Sequence, residues 1–244
     1  PSSCSIYGNQ TGLLNEDTVA APLSHYAKAN RSAEIDILSL STKDFAVTVV
    51  RQATVFGFSQ RMRFDLAINA MIHQAWEKGR ISVMRDGTQF RPFIHVRDVS
   101  SAFRHLLHTP VNLIRGRIFN LGTAINNYRI KDLAQILANK LEAELGPITL
   151  EWYGDPDLRS YNIDFTRITN DTGWCARQPV TDAIKEILTP LQSGALERTP
   201  KTITLDWYKK MALQKSFDLD TLNNDQTKTS FTNEGINSHS LFKQ

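Results

Sequence analysis

The sequence is poor in cysteine. Cys4 and Cys175 are the only two in 244 residues, too few for a disulfide framework or a zinc site, so a reducing cytoplasm is the expected compartment. No apolar run approaches the roughly 20 residues needed to cross a bilayer, and no membrane partner is expected. Neither sign of charge is in excess: 28 Lys and Arg stand against 25 Asp and Glu, a formal net charge of +3. That balance describes a solvated surface and leaves no electrostatic footprint for nucleic acid. The six histidines are scattered without metal-ligand spacing. Nothing resembles a signal peptide, the first residue is Pro1 rather than Met, and there are no internal repeats. Also missing is any G-x-x-G-x-x-G turn, which lets a pyrophosphate approach the first helix N-terminus of a dinucleotide-binding fold.

What is present is a globular composition, 41% hydrophobic and 22% charged, enough for one substantial core or two small ones. The first thirty residues organise the rest. Residues 9–23 are polar and read as a surface connection. Ser24 after Pro22 is a reasonable N-cap, and Ala27, Ala29, Ala33, Ile35 and Leu38 favour a helix over 24–40. Tyr26 and Asn30 then share one helix face. A tyrosine serves as a base only if its phenol, ordinarily near a pKa of about 10, is brought toward neutrality, and a cation one turn away would do this. A serine from a strand end, such as Ser3, could share the proton of the reacting oxygen. A Ser/Tyr/cation set therefore suits hydride transfer at a carbinol carbon, but the cation's position holds Asn30.

Farther along, the apolar, β-branched run 45–50 predicts a buried parallel strand, so that helix and strand continue a doubly wound layer. Asp86-Gly87 is a hairpin signal between alternating runs, and Asp98 can cap a helix over 99–108 with Ala102, Phe103, Leu106 and Leu107 inward. Leu133, Ile136, Leu137, Leu141 and Leu145 form a core stripe on a helix over 131–145. Another helix follows Thr181, with Ile184, Ile187, Leu188 and Leu191 inward. From about residue 216 the composition turns polar, and 216–244 is expected to be a flexible tail.

The ordered blocks resemble the extended short-chain dehydrogenase/reductase family, the NAD-dependent sugar-nucleotide epimerases and dehydratases. Ser2-Ser3-Cys4-Ser5-Ile6-Tyr7-Gly8 matches S-S-x-x-[VI]-Y-G, and Pro22-Leu-Ser-His-Tyr26 opens P-x-x-x-Y-x-x-x-K, whose lysine is here Asn30. Lys28 does not replace it, being about 200° round the helix. The stretch 51–57 approximates R-x-x-N-V-Y-G, with Thr54 where Asn is common, and 86–99 is similar to D-G-x-x-x-R-D-[FY]-[IV]-H-V-x-D-[VL]. The resemblance implies an α/β fold: the C-terminal part of a doubly wound, Rossmann-like parallel sheet with a smaller α/β substrate lobe. Roughly the first hundred residues of the family pattern are expected to be missing. The implied division is a nucleotide-binding part over 1–55, a substrate lobe over 56–192 from which 93–122 returns to the sheet, an extension over 193–215 and the tail.

The same resemblance assigns Ser3, Tyr26 and the substituted Asn30 to catalysis, and Tyr26, Asn30, Gln52 and Thr54 to NAD, or NADP. It assigns Asn69, Arg91 and Arg159 to the diphosphate of a nucleotide sugar. An arginine suits that task because its planar fork gives two parallel hydrogen bonds to phosphate oxygens. His95 and Asp98 are expected to be structural. The implied reaction passes through a 4-keto nucleotide sugar. Ser5, where the family's dehydratases carry an acid, favours an epimerase or ketosugar reductase, with a homodimer for the full-length form and no activity for this chain alone. The rival expectation is a non-catalytic relative that binds a nucleotide or a protein.

Overall fold

The computed structural model describes residues 1–213. Pro1–Thr204 forms one compact unit, and the tail expected over 216–244 lies outside the described residues. The strands are β1 (Ser2–Ser3), β2 (Asn9–Leu14), β3 (Thr48–Gln52), β4 (Thr54–Phe56), β5 (Arg80–Met84), β6 (Phe90–His95), β7 (Arg117–Leu121), β8 (Asn127–Arg129), β9 (Thr149–Tyr153) and β10 (Ser160–Ile163). The helices are α1 (His25–Ser39), α2 (Ala67–Lys78), α3 (Val96–His108), α4 (Val111–Ile114), α5 (Ile130–Leu145), α6 (Thr166–Thr172), α7 (Asp182–Gln192) and α8 (Thr204–Leu213).

The fold is α/β, with strands pairing mainly in parallel. One sheet has the order β1-β3-β7, all parallel. Its register sets Ser3 beside Gln52, and Gln52 beside Leu121, at the carboxyl ends of the strands. A second sheet places β6 between parallel β4 and antiparallel β8. The remaining pairs, β2 with β10 and β5 with β9, are parallel.

Two apolar clusters hold the first unit together by burial of hydrocarbon. Ile6, Tyr7, Val50, Phe119, Leu121 and Ile163 belong to the cluster around the β1-β3-β7 sheet. Ile68, Ile72, Leu133, Leu137, Ile184 and Ile187 belong to the other, where α2, α5 and α7 face one another. The stripes on α5 and α7 thus turn inward as their periodicity requires, although Ile136 and Leu145 are only half-buried.

Several expectations are corrected. Residues 9–23 are not all connection, since Asn9–Leu14 forms β2; its partner β10 lies about 150 residues onward, and so distant a pairing leaves no local signal. The strand expected at 45–50 starts at Thr48, because Thr42 and Phe45 close a turn, Thr42 N donating to Phe45 O at 2.8 Å. Asp86-Gly87 does not join a hairpin: β5 pairs with β9 and β6 with β4 and β8. The turn there is local, with Thr88 N donating to Asp86 Oδ1 at 3.2 Å. α3 starts at Val96 with His95 as its cap, the ring Nδ1 accepting from Arg97 N at 3.1 Å. Asp98 instead receives Arg177 N and Gln178 N. Leu107, expected inward, is 84% exposed.

Candidate functional site

The N-terminal end of the site is built by one tight turn. After β1 the chain makes a single 3-10 turn over Cys4–Tyr7, and Ser3 caps it by accepting from Ser5 N at 3.2 Å. A hydroxyl that accepts from a backbone amide keeps its own proton available to donate. Ser5 Oγ is buried and has no hydrogen-bond partner among the described residues. Gln52 and Thr54, both half-buried, flank Ala53 at the junction of β3 and β4.

Ser24 caps α1, its side chain accepting from Ala27 N at 3.2 Å. Tyr26, in the first turn, is 63% exposed. Asn30 does not turn its amide to the phenol: Nδ2 donates to the backbone carbonyl of Tyr26 at 2.9 Å. Among the described residues no hydrogen bond joins Ser3 to Tyr26.

Sequence reasoning missed a buried polar network that ties β1 to α1. Glu34 and Arg51, each 2% exposed, form a bidentate pair, with Arg51 Nε to Glu34 Oε1 at 3.0 Å and Nη2 to Oε2 at 2.9 Å. Ser2 Oγ donates to Glu34 Oε1 at 2.5 Å. Arg51 Nη1 donates to Tyr7 Oη at 2.9 Å, and Tyr7 Oη donates to Asn120 Oδ1 at 2.8 Å. Glu16 Oε1 accepts from Asn120 N at 2.7 Å. Burial alone would raise the Glu34 carboxyl, but hydrogen bonds from Arg51 and Ser2 hold it below its ordinary value. Burial pushes the Glu16 carboxyl and the Tyr7 phenol up. Glu34 sits two turns beyond Tyr26 on α1, but spacing alone does not name Arg51 as its partner.

The cationic part of the site lies where β6 meets β10. Arg91, 8% exposed, donates Nη1 to Phe90 O at 2.8 Å and to Arg159 O at 2.5 Å, and Nη2 to Asp157 Oδ2 at 2.7 Å. Its guanidinium carbon stands 4.9 Å from the centroid of the Tyr161 ring. Arg159 closes on the same carboxylate, with Nε to Asp157 Oδ1 and Nη2 to Oδ2, both at 2.9 Å. Asp157, which sequence reasoning also missed, is therefore shared by the two arginines. Burial would raise its carboxyl, but Arg159's hydrogen bonds and Arg91's charge hold it low.

Asn69 is buried on α2, and both ends of its amide serve the 57–63 loop: Oδ1 accepts from Gly57 N at 3.2 Å, and Nδ2 donates to Arg63 O at 3.1 Å. His95 has no exposed surface and lies 3.0 Å from Glu186 Oε2, so it is built into the fold. The structure thus brings Arg91 to Arg159 and Ser3 to Gln52, while Asn69 acts on its own loop. A surface hollow of about 490 Å³, lined by Arg97, Lys140, Glu144, Thr181, Lys185 and Glu186, contains none of Ser3, Gln52, Asn69, Arg91 and Arg159.

A model of the NAD dependent epimerase/dehydratase family matches residues 1–122. The chain is 33% identical over 140 residues to a UDP-glucuronate 4-epimerase of Thermodesulfobacterium geofontis (strain OPF15), covering 56% of this chain and 41% of that protein. It is 30% identical over 125 residues to an uncharacterized UDP-glucose epimerase of Bacillus subtilis (strain 168), covering 50% and 38%. Among solved structures, it is similar to UDP-glucuronic acid 4-epimerase from Bacillus cereus in complex with NAD, with a TM-score of 0.67 and 25% identity over 80% of this chain and 61% of that one. The chain therefore spans about two fifths of the length of these curated relatives.

Proposed function

Because the chain belongs to the NAD dependent epimerase/dehydratase family, we propose that it binds a nucleotide-diphosphate sugar through Arg91 and Arg159. The observation that carries this reading is the convergence of those two guanidinium groups on one anion, Asp157. A diphosphate offers the same kind of paired, charged oxygens. The relatives named as UDP-sugar epimerases favour a UDP-sugar.

In the full reaction Ser3 Oγ shares a hydrogen bond with the reacting sugar oxygen, and Tyr26 takes that oxygen's proton on oxidation and returns it on reduction. Tyr26, Asn30, Gln52 and Thr54 would hold NAD, or NADP, which would supply the hydride acceptor and donor for passage through a 4-keto sugar. The groups present suit the nicotinamide end of that cofactor: Ser3 and Gln52 are adjacent at the strand ends, where α/β sheets bind ligands. They do not include a glycine turn for the pyrophosphate, so this chain alone holds NAD weakly and does not turn over. Ser5 has no carboxylate for elimination, which favours epimerisation or ketosugar reduction over dehydration.

A second reading, a non-catalytic sugar-nucleotide binder, draws on the neutral Asn30, whose amide is committed to the Tyr26 carbonyl. Calorimetric titration with UDP-glucose, UDP-glucuronic acid and free glucuronic acid tests the shared claim. Both nucleotides should bind at one site and the free sugar should not; no heat with either nucleotide would refute it. Chromatographic detection of an epimerised product with added NAD, or of a reduced product from a 4-keto nucleotide sugar with added NADH, would decide for catalysis by this chain and against both the expected inactivity and the second reading.

A further inference from the structure

Asp157 holds a position that a binding site would ordinarily reserve for its ligand. Its Oδ2 receives Nη2 of Arg91 at 2.7 Å and Nη2 of Arg159 at 2.9 Å. Its Oδ1 receives Nε of Arg159 at 2.9 Å and the Arg159 backbone amide at 3.1 Å. The carboxylate thus takes up the fork of Arg159 and one donor of Arg91, the same N–H groups that would grip phosphate oxygens.

We propose that Asp157 is an internal stand-in for the diphosphate, occupying the Arg91–Arg159 clamp in the free protein and leaving it when the nucleotide sugar binds. The proposal rests on the reading of those arginines as diphosphate ligands and concerns what that ligand must displace. The charges explain why displacement is required. Two cations and one anion leave a surplus of one positive charge, whereas a diphosphate entering with Asp157 in place would set anion against anion at contact distance.

The fold also indicates which partner gives way. Arg91 lies on β6, is almost fully buried, and is fixed by Phe90 O, Arg159 O and the Tyr161 ring. Asp157 lies between β9 and β10 in a segment with no regular structure that includes Gly154 at φ 64. The side chain of Arg159 is 47% exposed. Arg91 is therefore the fixed jaw, and the exchange of anions takes place on the 154–159 segment. In the free protein the internal pair keeps the two like charges together; in the complex Asp157 turns to water. Ligand affinity is then the clamp's intrinsic affinity reduced by the free energy of releasing Asp157.

The test titrates the 244-residue chain and its variants with inorganic pyrophosphate and with UDP. Asp157→Asn keeps the shape and removes the competing charge, so both ligands should bind about tenfold more tightly. Asp157→Glu keeps the charge and should show no such gain, which supplies a reading even if the asparagine variant folds poorly. Asp157→Ala should tighten binding in the same direction as asparagine. Arg91→Ala is the control and should weaken both ligands. If Arg91→Ala weakens binding while Asp157→Asn and Asp157→Ala bind no better than wild type, Asp157 only orients Arg159, and the proposal is wrong while the clamp stands. If the wild type binds neither ligand, or Arg91→Ala changes nothing, the clamp reading itself fails and this proposal fails with it.

Discussion

Glu34 and Arg51 are the two residues whose removal should be felt most. Both are buried, and their bidentate geometry is completed by Ser2 and Tyr7. Removing Arg51 leaves the buried Glu34 carboxylate with only the half-exposed Arg31, 3.1 Å from Oε2, as a cationic partner among the described residues. Arg51→Met should therefore cost about 3 to 5 kcal/mol of stability, read from urea denaturation midpoints at constant slope. The pair also fixes a pH dependence. The carboxyl of Glu34 is held below its ordinary value of 4.5, so its contribution is complete above that pH and is lost as pH falls through the lowered value. Burial raises Glu16, which acts in the opposite sense: its ionised form costs stability at neutral pH, and the cost disappears on protonation. The stability gap between wild type and Glu34→Gln should narrow below about pH 4.5, and a gap constant down to pH 3 would contradict the assignment. Arg91 and Arg159 could be singled out in the sequence because each sits in a recognisable block. Asp157 was not, although it stands two residues before Arg159, because sequence does not say which anion a guanidinium finds.

Among the elements, α1, α5 and α7 were legible from capping and periodicity, signals carried within one turn or two. What escaped was long-range pairing: β2 finds β10, and β5 finds β9. The loop after β4 illustrates a constraint that only packing reveals. Gly57 has φ +105, and a Cβ there would lie 2.6 Å from His95 Nε2. His95 cannot retreat, being fully buried against Glu186 and capping α3. Gly57→Ala should cost at least about 1 to 3 kcal/mol, and because Gly57 N also donates to Asn69, hydrogen exchange should quicken across the 57–63 loop. An unchanged melting curve would refute this packing account.

At the scale of the whole chain, the proposed substrate clamp is better furnished within these 244 residues than the proposed cofactor side. The chain carries two arginines on one anion but no glycine-rich turn in 244 residues. It should bind UDP-sugars yet bind NADH weakly. Fluorescence titration should give no saturation in the micromolar range, and tight NADH binding would require a different cofactor site. The proposed function rests on the Arg91–Arg159 clamp, and a double-mutant cycle tests that clamp directly. UDP affinity is measured calorimetrically for wild type, Arg91→Ala, Arg159→Ala and the double variant. If both side chains grip one diphosphate, Arg91→Ala should cost about 1.5 to 3 kcal/mol. Arg159→Ala should cost less, because its side chain is half exposed, and the losses should be non-additive by at least about 0.5 kcal/mol. Affinities unchanged in both single variants would contradict the account.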